Sequence, residues 1–124
     1  MIAGAAVVAP GRRSAQRRPG PIWTGGVLTA YVIYQGNVLD EERYEEYKRQ
    51  VSPNITAAGG RYVVRGGDAT ALEGELPAGR TVVLAFPTRQ AALDWYRSEE
   101  YTEIRKLRDG AAEAILYVVD GINE

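Results

Sequence analysis

The order of strand and helix patterns is the feature of this sequence that most restricts its fold. A β-branched and aromatic segment, residues 28–35, precedes an amphipathic helix pattern. Two more strand patterns, 61–65 and 81–86, precede a second helix pattern, and a last strand pattern covers 113–120. The order β-α-β-β-α-β predicts an α+β, ferredoxin-like sandwich, in which two helices cover one face of an antiparallel sheet.

Three places interrupt this regular order. Pro53 cannot lie inside a helix without losing a hydrogen bond, so Ser52-Pro53 predicts a kink or break in the first helix. The segment ATALEGEL, residues 69–76, alternates weakly and predicts a further strand after the second one. Thr88 and Ser98 are both suitable N-cap residues, so the second helix is expected in two pieces.

The predicted arrangement leaves one sheet face without helices. The strand segments are rich in valine, leucine, isoleucine and tyrosine, so that bare face needs a cover. Pairing two such faces in a closed twofold assembly covers both at once. We therefore expect a homodimer that forms through the sheet face.

The absence of two residue types excludes several kinds of chemistry. The chain has no histidine and no cysteine, which excludes an imidazole base, a Ser–His pair, disulfides and thiolate catalysis. Its two lysines, Lys48 and Lys106, lie among charged residues, so a desolvated Schiff-base lysine is not expected. No acidic cluster has calcium-loop spacing and no Gly-rich loop opens onto a helix. We expect no metal and no cofactor.

Charge divides the chain into two parts. Residues 1–27 carry four arginines and no acid, for a charge of +4, whereas residues 28–124 carry a charge of −5. The first part lacks helix or strand periodicity, so we expect a disordered basic extension or a mis-annotated start before a single domain at 28–122. An arm that binds an acidic partner is the alternative. The net negative charge of the domain predicts no nucleic-acid partner. Because no apolar run reaches about 20 residues, we also expect no membrane span.

Several segments together resemble a known family. They are AYVIYQGNVLDEERYEEY, GGRYVVRGG, LAFPTRQAALDWYRSEEY and KLRDGAAEAILYVVDG, and they are similar to the domain-of-unknown-function 1330 family over residues 29–121. The resemblance implies a dimeric α/β barrel and a bacterial cytoplasmic setting, but no reaction. The family belongs to the dimeric α/β-barrel superfamily, whose members include cofactor-free monooxygenases, muconolactone isomerases and haem-dependent proteins. Several of these use a pocket histidine, which this chain lacks.

The segment GGRYVVRGGD places an arginine between a short strand and a glycine pair. Arg65 presents a fork-shaped donor that suits a carboxylate, and the family resemblance includes this arginine. Gly66 and Gly67 would let a ligand approach the backbone closely. The alternative is that Arg65 lies in water or pairs with Glu73 or Asp68 across the hairpin.

Arg108 falls on the apolar side of the last helix pattern. At 100° per residue it lies roughly 20° from Tyr101, on the same side as Ile104. A buried cation without a partner costs several kcal/mol, so Arg108 must be paired. Glu100, a tyrosine hydroxyl or strand carbonyls can supply the partner, and so can the carboxylate of a ligand.

Aromatic residues surround the interruption of the second helix. Trp95, Tyr96 and Tyr101 flank Ser98, where they are either core aromatics with an N-cap or part of a pocket. The candidate ligand-binding residues are Arg65, Gly66, Gly67, Trp95, Tyr96, Ser98, Tyr101 and Arg108.

These residues predict a binding function without naming a reaction. Arginines and tyrosines favour a small organic anion, bound between sheet and helices, and a cofactor-free enzyme of isomerase or monooxygenase type would use the same groups. A non-catalytic structural or ligand-sensing dimer is the alternative. In that case the same residues only hold the hairpin and the core together.

Overall fold

The computed structural model describes residues 29–122, so the predicted extension at 1–27 lies outside the described residues. Four strands and three helices alternate in this range. The elements are β1 (Ala30–Val38), α1 (Glu41–Ala57), β2 (Arg61–Arg65), β3 (Arg80–Phe86), α2 (Arg89–Arg97), α3 (Glu99–Arg105) and β4 (Ala112–Asp120).

The four strands form one antiparallel sheet in the order β2-β3-β1-β4. The two central strands, β3 and β1, are not consecutive in the chain, because α1 connects β1 to the edge strand β2. This topology confirms the predicted α+β, ferredoxin-like sandwich. Its register aligns Tyr34 with Val82 on one side and with Leu116 on the other.

Side-chain alternation assigns each strand residue to one of the two sheet faces. On the helix-facing side, Val32, Tyr34, Leu84 and Phe86 are buried against the helices. The helices contribute Tyr44, Tyr47, Val51, Ile55, Ala92, Trp95 and Tyr101 to the same core. The ring of Trp95 lies 4.3 Å from that of Tyr101 and 5.5 Å from that of Phe86, centroid to centroid. This aromatic cluster fixes α2 and α3 on the sheet.

The opposite face of the sheet carries apolar side chains that no described element covers. Ile115 and Tyr117 on β4 are 67% and 52% exposed, and Val119 continues the row at 42%. Ile33 on β1 pairs with Tyr117 and with Val83, which places it in the middle of the same face. Within residues 29–122, no helix combines the length and apolarity needed to cross a bilayer.

Helix α1 runs continuously through Pro53, so the predicted break was wrong. Pro53 is exposed, whereas Val51 and Ile55, two positions before and after it, are buried in the core. Burying both aliphatic side chains offsets the backbone hydrogen bond that proline removes. The hydroxyl of Ser52 also donates to the carbonyl of Lys48, 3.1 Å away, and so acts within the helix rather than as an N-cap.

The strand predicted at residues 69–76 is absent, and the whole segment is an exposed loop between β2 and β3. The apolar side chains of this segment have nothing to pack against, since Leu72 is 94% exposed. By contrast, the predicted division of the second helix is confirmed. Thr88 accepts from the backbone N–H of Ala91 to start α2, and Ser98 separates α2 from α3.

Candidate functional site

A tyrosine-lined cleft lies between α1 and the helix-facing side of the sheet. Its volume is about 470 Å³, including the part open to solvent. The polar residues that line the cleft are Tyr34, Tyr44, Tyr47, Lys48, Tyr62, Arg65, Arg80 and Trp95, and none of the lining residues is acidic.

Arg65 lies at the mouth of this cleft, on the helix side of the sheet. Its guanidinium carbon stacks 4.3 Å from the centroid of the Tyr62 ring, and its Nη2 donates to the hydroxyl of Ser52 on α1, 2.7 Å away. Within residues 29–122 it forms no ion pair with a carboxylate. Arg65 is therefore held in place by a ring and a hydroxyl, with its charge not neutralised.

A second arginine, Arg80, lies beside Arg65 and was not anticipated from the sequence. A Cβ atom on Gly66 would lie 2.6 Å from Nη2 of Arg80, so the guanidinium crosses the bare backbone of this glycine. Its carbon also lies 5.8 Å from the centroid of the Tyr44 ring. Gly66 has a φ of +72°, which favours glycine for a second reason. Gly67 contacts neither arginine, since a Cβ there would meet no atom within 4 Å.

Arg108 is buried behind the cleft, as its position on the apolar stripe predicts, with 9% of its surface exposed. Its Nη2 donates to the hydroxyl of Tyr101 at 3.4 Å, and that hydroxyl bonds to the hydroxyl of Tyr47 at 2.8 Å. Its guanidinium carbon lies 5.5 Å and 5.8 Å from the ring centroids of Tyr47 and Tyr34. Of the partners left open by the sequence, the structure thus supplies a tyrosine hydroxyl, and Glu100 remains at the surface.

Burial opposes the charge of Arg108, but the oxygens of Tyr101 and Tyr47 raise its pKa above the ordinary value. A guanidinium is charged at any physiological pH in any case. Its single bond to a neutral hydroxyl is long, and its Nε has no acceptor. Arg108 is thus a charged group that the described residues leave partly unsatisfied.

Three buried polar atoms in and around the cleft have no hydrogen-bond partner among the described residues. They are the hydroxyl of Tyr34, Nε of Arg80 and Nε of Arg108. Leaving a buried donor unpaired costs about 1–3 kcal/mol, and more for a charged group. All three groups can donate a hydrogen bond, and they lie in or next to the cleft.

The remaining candidate residues are distributed around the second helix. Trp95 lines the cleft and donates from Nε1 to the side chain of Asn54, 2.7 Å away. Ser98 accepts from the backbone N–H of Tyr101 at 3.1 Å and donates to the carbonyl of Trp95 at 2.8 Å, which are the contacts of a helix cap. Tyr96 is half-exposed and accepts from Arg105 at 3.2 Å, in a separate groove between α2 and β4.

The structure therefore brings part of the candidate set together. Arg65, Gly66 and Trp95 lie at the cleft, and Arg108 and Tyr101 lie behind its inner wall. Sequence reasoning missed Arg80, because its position after PAG resembles the end of a turn rather than the start of a strand. The bare glycine pair near Arg65 was the available signal, since a glycine on an edge strand often marks a close approach by another group. No group of three or more His, Cys, Asp or Glu within residues 29–122 could hold a metal ion.

The pKa values of two core tyrosines predict a loss of stability in alkali. Burial, followed by interactions with neighbouring tyrosines, raises the pKa of Tyr44 and of Tyr47 above the ordinary value of about 10. The unfolded chain releases these protons first, so the stabilisation is complete below about pH 10 and decreases as the pH rises further. Each tyrosine contributes a slope of up to about 1.4 kcal/mol per pH unit. Urea unfolding at increasing pH measures this slope, and an unchanged slope in Tyr44→Phe would contradict the assignment.

Comparison with known proteins gives a family and a fold. A family model described as a domain of unknown function (DUF1330) matches residues 29–122. The crystal structure of a protein of unknown function from Rhodopseudomonas palustris is 20% identical with a TM-score of 0.63, and the match covers 78% of this chain and 85% of that chain. A hypothetical protein from Arabidopsis thaliana is 9% identical with a TM-score of 0.54, over 82% and 93% of the two chains. At these identities the likeness extends to the fold alone. None of the curated proteins matches the sequence significantly.

Proposed function

The chain belongs to the family described as the domain of unknown function 1330, and from that premise we propose that it binds a small organic anion in the cleft between α1 and the sheet. Arg65 at the mouth binds the acidic group, and Arg80 adds a second positive charge to the cleft. The observation that supports this most strongly is the absence of any acid from a cleft lined by two arginines, a lysine and four tyrosines.

The net negative charge of the protein makes the absence of acidic residues from the cleft notable. Residues 28–124 carry an excess of five negative charges, and some of the exposed cations elsewhere find acidic partners. Lys48, at the rim of the cleft, pairs with Glu45 at 2.9 Å, and Arg89 outside it pairs with Asp120 at 3.1 Å. Arg65 and Arg80 have no such partner within residues 29–122. An anionic ligand would complete their pairing with bidentate, charge-assisted hydrogen bonds.

The other candidate residues have supporting places in this proposal. Trp95 forms part of the apolar wall, and Tyr101 with Arg108 closes the inner end. Ser98 positions Tyr101 through its helix cap, while Gly67 and Tyr96 lie further from the cleft and would matter only for a ligand that extends beyond its mouth.

The cleft favours binding and oxyanion stabilisation over proton abstraction. No histidine, cysteine or carboxylate lines it, and Tyr44 and Tyr47 have raised pKa values, so each phenol is a hydrogen-bond donor rather than a base near neutral pH. Arginines and neutral phenols can stabilise an enolate or a carboxylate. A cofactor-free isomerase or monooxygenase would therefore depend on a substrate that carries its own acidic proton. The alternative is a non-catalytic dimer that senses the same ligand.

We further propose that residues 28–122 form a single domain that pairs into a homodimer through the bare sheet face. The supporting observation is the continuous row of exposed Ile115, Tyr117 and Val119 beside Ile33 and Val83. An apolar patch of this kind on a small domain marks an interaction surface.

Replacing Arg65 with glutamine is expected to abolish ligand-induced stabilisation. A panel of small carboxylic acids, keto acids and phenols is screened by thermal shift, because a ligand at about 100 times its Kd stabilises by about 2.7 kcal/mol. Arg65→Gln should lose the shift while keeping the fold and the oligomeric state. Arg89→Gln is the matched control, since it removes an exposed arginine outside the cleft and should keep the full shift.

Two results would contradict the binding proposal. One is an unchanged ligand shift in Arg65→Gln. The other is a lowered melting temperature in this variant while no compound stabilises the parent protein, which would support a purely structural role for Arg65 through Ser52 and Tyr62.

A further inference from the structure

Two arginines, the buried Arg108 and the half-buried Arg80, approach the same end of the sheet from opposite sides. Arg80 begins β3 and pairs in register with Gly36 of β1, while Arg108 precedes β4 and its carbonyl accepts from Ala112. The position beside Gly36 on β4 is Ala114. The stretch of sheet between the two arginines is therefore made of residues with little or no side chain.

Two tyrosines lie between these arginines. The guanidinium of Arg80 lies 5.8 Å from the Tyr44 ring, and that of Arg108 lies 5.8 Å from the Tyr34 ring. The two rings are 6.5 Å apart, centroid to centroid. We call Tyr34, Tyr44, Arg80 and Arg108 the inner cluster.

The inner cluster contains every unpartnered buried polar side-chain atom of residues 29–122. Tyr34 is only 5% exposed, and its hydroxyl has no hydrogen-bond partner, like Nε of Arg80 and of Arg108. All three groups can donate a hydrogen bond, and the two guanidinium groups carry positive charge. What would satisfy them together is an acceptor with negative charge.

The inner cluster extends from Arg80, beside Arg65 at the mouth of the cleft, to Tyr34 on the central strand β1. Arg65 pairs with Val82, and Val82 pairs with Tyr34, so Arg65 and Tyr34 occupy one row across three strands. Two steps between neighbouring strands put their backbones roughly 10 Å apart. Because both side chains line the same cleft, a short molecule could contact both.

We propose that the inner cluster binds a second acidic group, so that the ligand is a short dianion such as a dicarboxylate, with its first acidic group at Arg65. This inference rests on the proposed function and specifies its ligand class. A monoanion would leave either the mouth or the inner donors unpaired.

The test compares succinate, glutarate and adipate with their monomethyl esters by calorimetric titration. Each half-ester keeps the carbon chain and one carboxylate but lacks the second charge. For at least one chain length, the parent protein should bind the diacid about tenfold or more tightly than its half-ester. The variants Tyr34→Phe and Arg80→Met should remove most of this preference while retaining the binding of the half-ester.

Tyr34→Phe is expected to stay folded, because it removes only a buried hydroxyl that has no partner. Arg89→Gln, outside the cleft, should keep the parent's preference. Equal binding of diacid and half-ester in the parent would overturn the second acidic site and leave the proposed function standing. A preference that persists in both inner variants would also overturn it. If no compound of the series binds to the parent, the dicarboxylate proposal is wrong, and the broader panel then decides whether any organic anion binds.

Discussion

If the chain forms the proposed homodimer, Tyr117→Asp is expected to convert it into a monomer. Tyr117 is half-exposed on the bare sheet face and pairs in register with Ile33 at its middle. In a twofold dimer the change introduces two carboxylates into one apolar interface, and each buried unpaired charge costs several kcal/mol. A loss of about 4 kcal/mol corresponds to a roughly thousandfold weaker dimer. Sedimentation equilibrium measures the change directly.

The matched control for this prediction is Leu72→Asp. It makes the same kind of substitution at an exposed apolar side chain, but in the β2–β3 loop, away from the sheet face. We expect Leu72→Asp to remain dimeric and Tyr117→Asp to remain folded, since an exposed substitution changes stability little. A parent protein that sediments as a monomer, or a Tyr117→Asp variant that stays dimeric, would refute pairing through this face.

Gly79→Ala is expected to lower the free energy of unfolding by roughly 3–5 kcal/mol. Gly79 has a φ of +87°, where a Cβ is strained, and the added atom would lie 1.8 Å from the carbonyl oxygen of Gly36. The obstructing atoms belong to the β1 backbone, so the start of β3 must move. Arg80 follows directly in the chain, and the cleft should therefore lose its geometry together with its stability. Urea unfolding measures the first effect and ligand titration the second.

Gly74→Ala, in the same loop, separates the cost of the positive φ from the cost of the steric clash. Gly74 also has a positive φ, of +73°, but a Cβ there meets no atom within 4 Å. Only the backbone strain remains, which costs about 1–2 kcal/mol. If Gly79→Ala is no more destabilising than Gly74→Ala, the close approach of the loop to Gly36 does not contribute to stability.

The candidate site was only partly accessible from sequence. Arg65 was identifiable because it stands between a strand and a glycine pair, and Arg108 because helical periodicity places it on the apolar stripe. Arg80 and Tyr34 gave no such signal. Each belongs to an ordinary strand segment, and its importance arises only when β1, β3 and the segment before β4 meet at one end of the sheet.

Local patterns in the sequence determined the order of strands and helices, and with it the ferredoxin-like fold. Alternation, helical period and the caps at Thr88 and Ser98 act within a few residues, so each is encoded where it occurs. The residues that were predicted wrongly, Pro53 and the segment 69–76, depended on whether distant side chains were available to pack against.

Only the tertiary structure decided which groups surround the cleft and which remain unpaired. It placed Arg65 on the helix side of the sheet, gave Arg108 a hydroxyl instead of an acid, and left three buried donors in and next to the cleft. Charge and hydrogen-bond pairing depend on distances between segments far apart in the chain, and these distances do not exist until the chain has folded.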